Sequence, residues 1–493
     1  MAHNFHPVKR DEEFLLPTNM RDWLPRDHFV YFVIELVEQL DSGELLKAYR
    51  SDGKGGVAYH PVMMATLLFY AYCDGERSSR RIEEHCRTDI AYRIITGGSI
   101  PDHTTISRFR DRHEKALAAL YVPVLGICLN AGLGDLRFAA IDGTKFRCPA
   151  SLRANRTLAS IEKELAALTE QIETELARVV TEMFAAGRAA DLEDDTLFGP
   201  PPPRTPGTLP PVKGLPKSLH GKATRRARLA KAKQILDEDY AQQEGDHLAR
   251  MAERARREAT TGKKIPGRKP LPPQRDPNIK INVTDPESRI MVGARHAYLQ
   301  GYNAQNVIAC DRLVLASDVV NDENDTHQLH PMLNSTSSNL TDAGSPQTLD
   351  KIAADSGYCT QESLEAIDPD GPDIIMATVK DRHARARARA TEPSNDTPPE
   401  GNPTLRQHME WKLGTTEGKT TYRQRAATVE PGFAQIKHNR RMLGFQRTGL
   451  TAADSEWKLI NITDNVKKLF RRTRTGQATP AWSTLTHLIA APS

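Results

Sequence analysis

One apolar run with a carboxylate at its centre constrains this chain more than anything else in it. Arg137-Phe138-Ala139-Ala140-Ile141-Asp142-Gly143-Thr144-Lys145-Phe146 has the make-up of a buried strand. A core strand of ordinary composition places Val or Ile where Asp142 stands, because a buried, unpaired carboxylate costs several kcal/mol. A cation partner, a metal ion or a retained proton offsets that cost. We read Asp142 as a holder of a divalent metal ion and look for two later acids to complete the site.

The rest of the composition narrows the classes. With 39% hydrophobic residues in 493, the chain can bury a substantial core spread over two to four domains. Lys and Arg (67) barely exceed Asp and Glu (63), and a net charge of +4 neither demands nor excludes a nucleic-acid partner. The six cysteines form no CxxC pair, which argues against a zinc knuckle or a disulfide framework and fits a reducing compartment. No apolar segment follows the charges of MAHNFHPVKRDEEF, so no signal peptide is expected. The longest apolar run, residues 61–73, is too short to span a membrane. The expectation is a cytoplasmic, nucleoid-associated protein.

Residues 1–135 read as helical, with Asp27 as a cap and an apolar face from Phe29 to Leu40. A Gly-rich break at residues 52–56 precedes a core helix over 61–73. Asp102 is placed to cap a helix that carries His103, Thr104, Thr105, Ser107 and Arg108, residue types that contact phosphates and base edges. A solvated, salt-bridged helix would look similar.

After Asp142 the strands are interrupted. Leu158, Ile161, Leu165, Leu168, Ile172, Leu176 and Val179 recur in steps of three and four. Prolines between 200 and 216 end that helix, and a charged second one follows with Leu229, Leu236, Leu248 and Met251 on one face. The pair predicts a helical hairpin, either a spacer or an arm that contacts DNA or another copy.

Strand signals resume at Ile281. Residues 302–310 and 313–320 suggest a β-hairpin, 349–354 a short strand ending in Asp355-Ser356-Gly357-Tyr358, and 374–378 another strand. Arg382, His383, Arg385, Arg387 and Arg389 alternate with alanines as a basic loop. A long helix is expected from about Thr428, with Thr428 as its N-cap and Pro431 in its first turn. Three strands, helix, strand, helix, strand and a final helix make the RNase H-like order, in which strands one and four end side by side. The fold class is therefore α/β: an RNase H-like core with a mixed five-stranded sheet, an all-helical N-terminal domain and a helical-hairpin insertion.

That order brings Asp142 and Asp355 together, with Glu430 on the last helix as third acid. Asp318, Asp322, Asp325 and Asp373 are rivals for the second position; Asp355 is preferred because it ends an apolar strand at an exposing turn. Lys437, seven residues after Glu430, shares its helix face, and His438, Arg440, Arg441 and Arg447 extend a basic surface suited to a polyanion. Three carboxylates suit two Mg2+ ions, Mn2+ being an alternative, about 4 Å apart.

In this order the motifs resemble bacterial insertion-sequence transposases of the DDE class, in the subgroup with a helical N-terminal domain and a helical insertion. The resemblance rests on residues 101–110, Ile141-Asp142-Gly143-Thr144-Lys145, Asp285-Pro286-Glu287-Ser288-Arg289 and Gly301-Tyr302-Asn303-Ala304-Gln305. It also rests on Asn324-Asp325-Thr326-His327-Gln328-Leu329, Ala354-Asp355-Ser356-Gly357-Tyr358 and residues 429–437. It implies a metal-binding triad of Asp142, Asp355 and Glu430, with Lys437 and nearby arginines on DNA. Many relatives carry a cysteine cluster before the Glu helix; residues 380–428 have none, so no zinc is expected. The tyrosine-arginine-glutamate spacing departs from the family's, which leaves Tyr422, Arg423 and Arg425 without assigned roles.

The expected domains are 1–135, helical, for DNA binding or dimerisation; 136–151 with 276–475, catalytic; 152–275, the insertion; and 476–493, a tail. The expected activity is binding of double-stranded terminal inverted repeats, metal-dependent cleavage and strand transfer to target DNA, with a homodimer or larger assembly on DNA. Alternatives are an RNase H-like nuclease that cuts without joining and a non-catalytic DNA-binding descendant.

Overall fold

A computed structural model describes residues 19–49, 57–190, 217–262, 264, 268–293, 297–379 and 393–475. The Gly-rich break at 52–56, the prolines at 200–216, the arginines at 382–389 and the tail at 476–493 lie outside the described residues. The chain forms two compact units, one of residues 1–149 and 302–493, the other of residues 150–301.

The first unit opens with helices. Phe29–Gln39 is capped by His28, whose Nδ1 accepts from Val30 N at 3.2 Å, and not by Asp27. Helix α1 (Pro61–Asp74) starts at a proline, whose missing N–H costs nothing in a first turn, and stops at Gly75 with φ of 88°. Helix α2 (His103–Arg112) is capped by Asp102 as expected, through the amides of Thr104 (2.9 Å) and Thr105 (3.2 Å).

The sheet has six strands, one more than expected; besides Arg289–Val292 it comprises β1 (Ala139–Arg147), β2 (Tyr298–Ala309), β3 (Val314–Val320), β4 (Lys351–Ala354) and β5 (Asp373–Met376). Their order is β3-β2-β1-β4-β5. β2 and β3 are antiparallel, from Asn303 opposite Val320 to Ile308 opposite Val314. β1 and β4 are parallel, with Ala139 opposite Ile352 and Ala140 opposite Ala353, and β5 runs parallel to β4. This is the RNase H-like core. The register of β1 and β4 matters most: two residues beyond Ala140 is Asp142, and two beyond Ala353 is Asp355.

Helix α3 (Leu329–Asp342) follows β3, helix α4 (Thr416–Ala434) follows Leu405–Gly414, and helix α5 (Leu450–Arg474) closes the unit. α5 is buried on nearly every side for about four turns. Trp457 is fully buried, and its Nε1 donates to Asn306 Oδ1 (2.9 Å) and Gln305 O (3.1 Å) on β2. Asn461 pairs with Asn306, and Asn465 bonds both the amide and the carbonyl of Val314. On its other side α5 meets the N-terminal helices, where buried Glu456 Oε1 accepts from Arg77 Nη1 at 2.7 Å.

In the second unit, helices Leu158–Ala190 and His220–Thr261 pair. Glu175 meets Lys222 and Glu162 meets Lys233, so the sequence order runs in opposite senses, as in the predicted hairpin. Ile161 and Leu168 pack on Leu229, Ala232 and Leu236, with Ile281 and Val283 beside them. Leu248, expected on the same face, is 67% exposed. Two short ladders, Asn155–Thr157 with Lys280–Asn282 and Arg289–Val292 with residues 298–301, complete the unit.

The Arg77–Glu456 pair generates a stability prediction. Glu456→Ala strands a guanidinium that is 7% exposed and removes the acceptor of Gln446 N. Urea unfolding is expected to show a loss of about 3–5 kcal/mol, and an unchanged midpoint would mean that the pair does not tie α5 to the helices.

Candidate active site

Asp142, the fourth residue of β1, is half-buried. Its Oδ1 accepts from Gly143 N at 2.8 Å and its Oδ2 from Arg425 Nη1 of α4 at 3.1 Å. Asp355 stands on the turn after β4, where its Oδ1 accepts from Gly357 N at 2.7 Å. Tyr358, buried behind that turn, donates its hydroxyl to Gln305 Oε1.

A third carboxylate joins them from the loop between β3 and α3. Asp325 Oδ1 accepts from Asn303 Nδ2 (2.7 Å) and Gln305 Nε2 (2.6 Å) and lies 3.8 Å from Lys145 Nζ. The approach is so close that a methyl group on Gly143 would overlap Gln305 and Asp325, which is why the residue after Asp142 is glycine. The other rivals point elsewhere: Asp318 pairs with Lys458, Asp322 accepts from Gln328, and Asp373 pairs with Lys412.

The electrostatics follow from this crowding. Burial first, then the neighbouring carboxylates of Asp355 and Asp325, push Asp142 up to about 6 against the opposing pull of Arg425. Burial likewise raises Asp355, and it lowers Lys145 despite the three acids around that ammonium. Lys437 Nζ donates to Thr144 Oγ1 on β1 and lies 6.0 Å from the centre of the Phe146 ring; burial lowers it too.

Glu430 is placed differently from expectation. Helix α4 is capped by Thr415, whose side chain accepts from Gly418 N at 3.0 Å, so it begins well before Thr428. Thr428 is interior, its hydroxyl bonded to Gln424 O, and Pro431 sits inside the helix near its end. Glu430 is exposed and makes no hydrogen bond or ion pair among the described residues. A π-helical turn over Gln435–Asn439 follows and changes the angular phase, so the seven-residue spacing to Lys437 does not place both on one regular helix face. Among the described residues, no three His, Cys, Asp or Glu side chains already converge to hold a metal ion.

Several of the expected DNA contacts are structural instead. Arg440 is 5% exposed; its Nη atoms bond Ile460 O, Tyr72 O and Thr463 Oγ1, so it bridges α1 and α5 within the core. Arg447 is spent on Asp111 (3.1 Å) and Glu114 (2.7 Å). His103 Nδ1 meets Glu83 Oε2 at 2.9 Å, and the hydroxyls of Thr104 and Thr105 bond Asp102. Ser107 is half-buried, whereas Arg108 is exposed. Arg441 is also exposed and holds φ at 53°. Arg425 and Lys145 are the site cations to which the sequence reading gave no role. The detectable signal was the alternation of Asn303 and Gln305 on one face of a largely buried strand, which predicts two buried amides in search of a charge.

Without metal, Asp142 makes stability depend on pH. The folded side chain keeps its proton up to about 6, whereas the free carboxyl releases it near 3.8. Between those values the folded state binds more protons than the unfolded one, so stability falls as pH rises through that window. Denaturation in EDTA is expected to show this decline, by roughly 2–3 kcal/mol, with a shallower slope for Asp142→Asn. An equal slope in both proteins would contradict the assignment.

Two family models match the chain. One, described as a transposase domain (DUF772), covers residues 18–112, and the other, a transposase DDE domain, covers residues 387–470. No curated protein and no solved structure matches it. No helix among the described residues is long and apolar enough to cross a membrane. The two matches, both to transposase domains, flank a sheet that sets Asp142 and Asp355 side by side, and together they support an insertion-sequence transposase of the DDE class.

Proposed function

We propose that this chain is a DNA transposase that binds the inverted-repeat ends of its own element, hydrolyses the phosphodiester at each end, and uses the freed 3′-hydroxyl to attack target DNA. The observation that carries the reading is the shared register of β1 and β4, which sets Asp142 and Asp355 at equivalent positions on adjacent parallel strands. The donor set fits a hard divalent cation: it is all carboxylate oxygen, and the fully buried Asn303 adds an Oδ1 that has no partner. Asp142 and Asp355 would hold Mg2+ or Mn2+, with Glu430 contributed by α4, the helix whose Arg425 already reaches Asp142. Bound there, two such ions supply an activated attacking oxygen and stabilise the leaving one.

The protein's own groups do the rest. Arg425 and Lys145 hold positive charge against the carboxylates, and Lys437, which reaches from the π-helical turn to Thr144 of β1, would meet a backbone phosphate. No covalent intermediate with the protein is required, so no nucleophilic side chain is assigned. Among the residues expected on DNA, Arg108 of α2 and Arg441 are exposed. Joining two ends requires at least two copies of the chain on DNA.

The test is cleavage of a labelled duplex bearing the element's end. With Mg2+, wild type is expected to nick at the boundary and then to join a pre-cut end to target DNA. EDTA should stop both. Asp142→Ala and Glu430→Ala should retain end binding and lose about a thousandfold in cleavage rate, some 4 kcal/mol of barrier. Cleavage without joining would show a nuclease, binding without cleavage a DNA-binding descendant, and near-normal cleavage by Glu430→Ala would remove Glu430 from the site.

A further inference from the structure

We propose that Asp325 is a metal-holding carboxylate of this centre and takes a divalent cation together with Asp355. The inference rests on the metal-dependent reading above and adds to it a residue outside the Asp142, Asp355 and Glu430 set.

The first argument is position. Two glycines report it from opposite sides. A methyl group on Gly143, next to Asp142, would overlap Asp325 Oδ1. A methyl group on Gly357, in the turn that carries Asp355, would lie 2.9 Å from Asp355 Oδ1 and 3.5 Å from Asp325 Oδ2. Asp325 therefore reaches the surroundings of both Asp142 and Asp355, and its open Oδ2 and Asp355 Oδ1 approach one point at the Gly357 turn.

The second is what the side chain does not do. Asp325 stands in the loop before α3, three residues ahead of the helix's N-cap. Here the N-cap is Gln328 with no side-chain cap bond, and Asp325 contributes only its backbone carbonyl, to Gln328 N at 3.0 Å. The carboxylate is turned to the sheet instead. Asn303 and Gln305, both fully buried, donate to its Oδ1, and Tyr358 fixes the far end of Gln305. No hydrogen-bond donor reaches Oδ2 among the described residues. One oxygen is thus locked by neutral donors and the other is left open, as in a ligand oriented by its supporting shell.

The third is independent of the acids. Asn303 is 0% exposed, yet its Oδ1 has no partner, and it lies 2.9 Å from where a Gly143 methyl would stand. Buried amide oxygens are nearly always satisfied. An orphan oxygen beside three carboxylates is an acceptor that a hard cation, or a water held by one, would satisfy. Lys145 Nζ, also buried without a hydrogen-bond acceptor, sits 3.8 Å from Asp325 and supplies the local positive charge when metal is absent.

Mn2+ binding to the full-length protein, read by the electron paramagnetic resonance of the free ion, tests this without any catalysis. Asp325→Asn, which keeps size and one acceptor oxygen, is expected to weaken Mn2+ binding at least about tenfold, with wild-type circular dichroism. Asp355→Asn should do the same. Wild-type Mn2+ binding by Asp325→Asn alongside weakened binding by Asp355→Asn would overturn the role of Asp325 and leave the metal site standing. Unchanged binding in both would overturn the metal reading itself. If Asp325→Asn does not fold, Fe2+-directed hydroxyl-radical cleavage of the wild-type backbone decides. Cuts within 322–328 as well as around 355 are expected, and cuts around 142 and 355 alone would refute the proposal.

Discussion

The structure turns on repulsion between like charges held close together. Parallel pairing of β1 with β4 gives Asp142 and Asp355 the same height on neighbouring strands, and the loop before α3 adds Asp325. Three carboxylates in a partly buried place would not stay ionised together without compensation. Arg425 from α4 and Lys145 from β1 supply it. Much of the unit is arranged to keep those two cations in place. β1 carries Lys145 three residues beyond Asp142, and α4 packs Val429 against Phe138, Ala140 and Ala353, which holds Arg425 over the same strand ends.

That arrangement needs a sheet that does not flex, and the polar core under it provides one. β2 carries its amides on both faces: Asn303 and Gln305 toward the acids, Asn306 toward Trp457 and Asn461 of α5. Each amide is directional, so a shift of β2 along α5 breaks bonds on both sides at once. α5 is in turn fixed to the N-terminal helices by Arg77 with Glu456 and by Arg440 across Tyr72, Ile460 and Thr463. Arg440, expected from the sequence on a nucleic-acid surface, is therefore an internal brace. The same distinction separates Arg447, neutralised by Asp111 and Glu114, from the exposed Arg441.

The sequence was informative wherever one local pattern sufficed. The apolar run around Asp142, the Asp-Ser-Gly-Tyr turn and the three-four spacing from Leu158 each specify an element, and the order of elements specifies the sheet. Asp102 as a cap was legible because capping is a contact within three residues. What sequence could not supply was anything decided by tertiary partners. Thr428 before Glu-Pro resembles a helix start, but α4 begins at Thr416 because Thr415 caps it and Leu413 packs against Ile375 and Ala377 nearby. Burial of Arg440 depends on α1 and α5, which lie far from it in the chain. Asp325 was indistinguishable from its acidic neighbours because the residues that single it out, Asn303 and Gln305, lie twenty positions away on another strand.

Charge balance explains why such a centre favours a divalent cation over its own side chains. Three acids face two cations in direct ion-pair contact, so the centre retains an excess of negative charge, which adds to burial in raising Asp142 to about 6. A third fixed arginine would neutralise it, but a guanidinium is bulky and offers no open coordination position for a phosphate oxygen. A small dication removes the excess, accepts several carboxylate oxygens at once and keeps sites for water and substrate. The deficit of one charge is therefore what leaves the centre open to a metal ion while Arg425 and Lys145 keep the acids together in its absence.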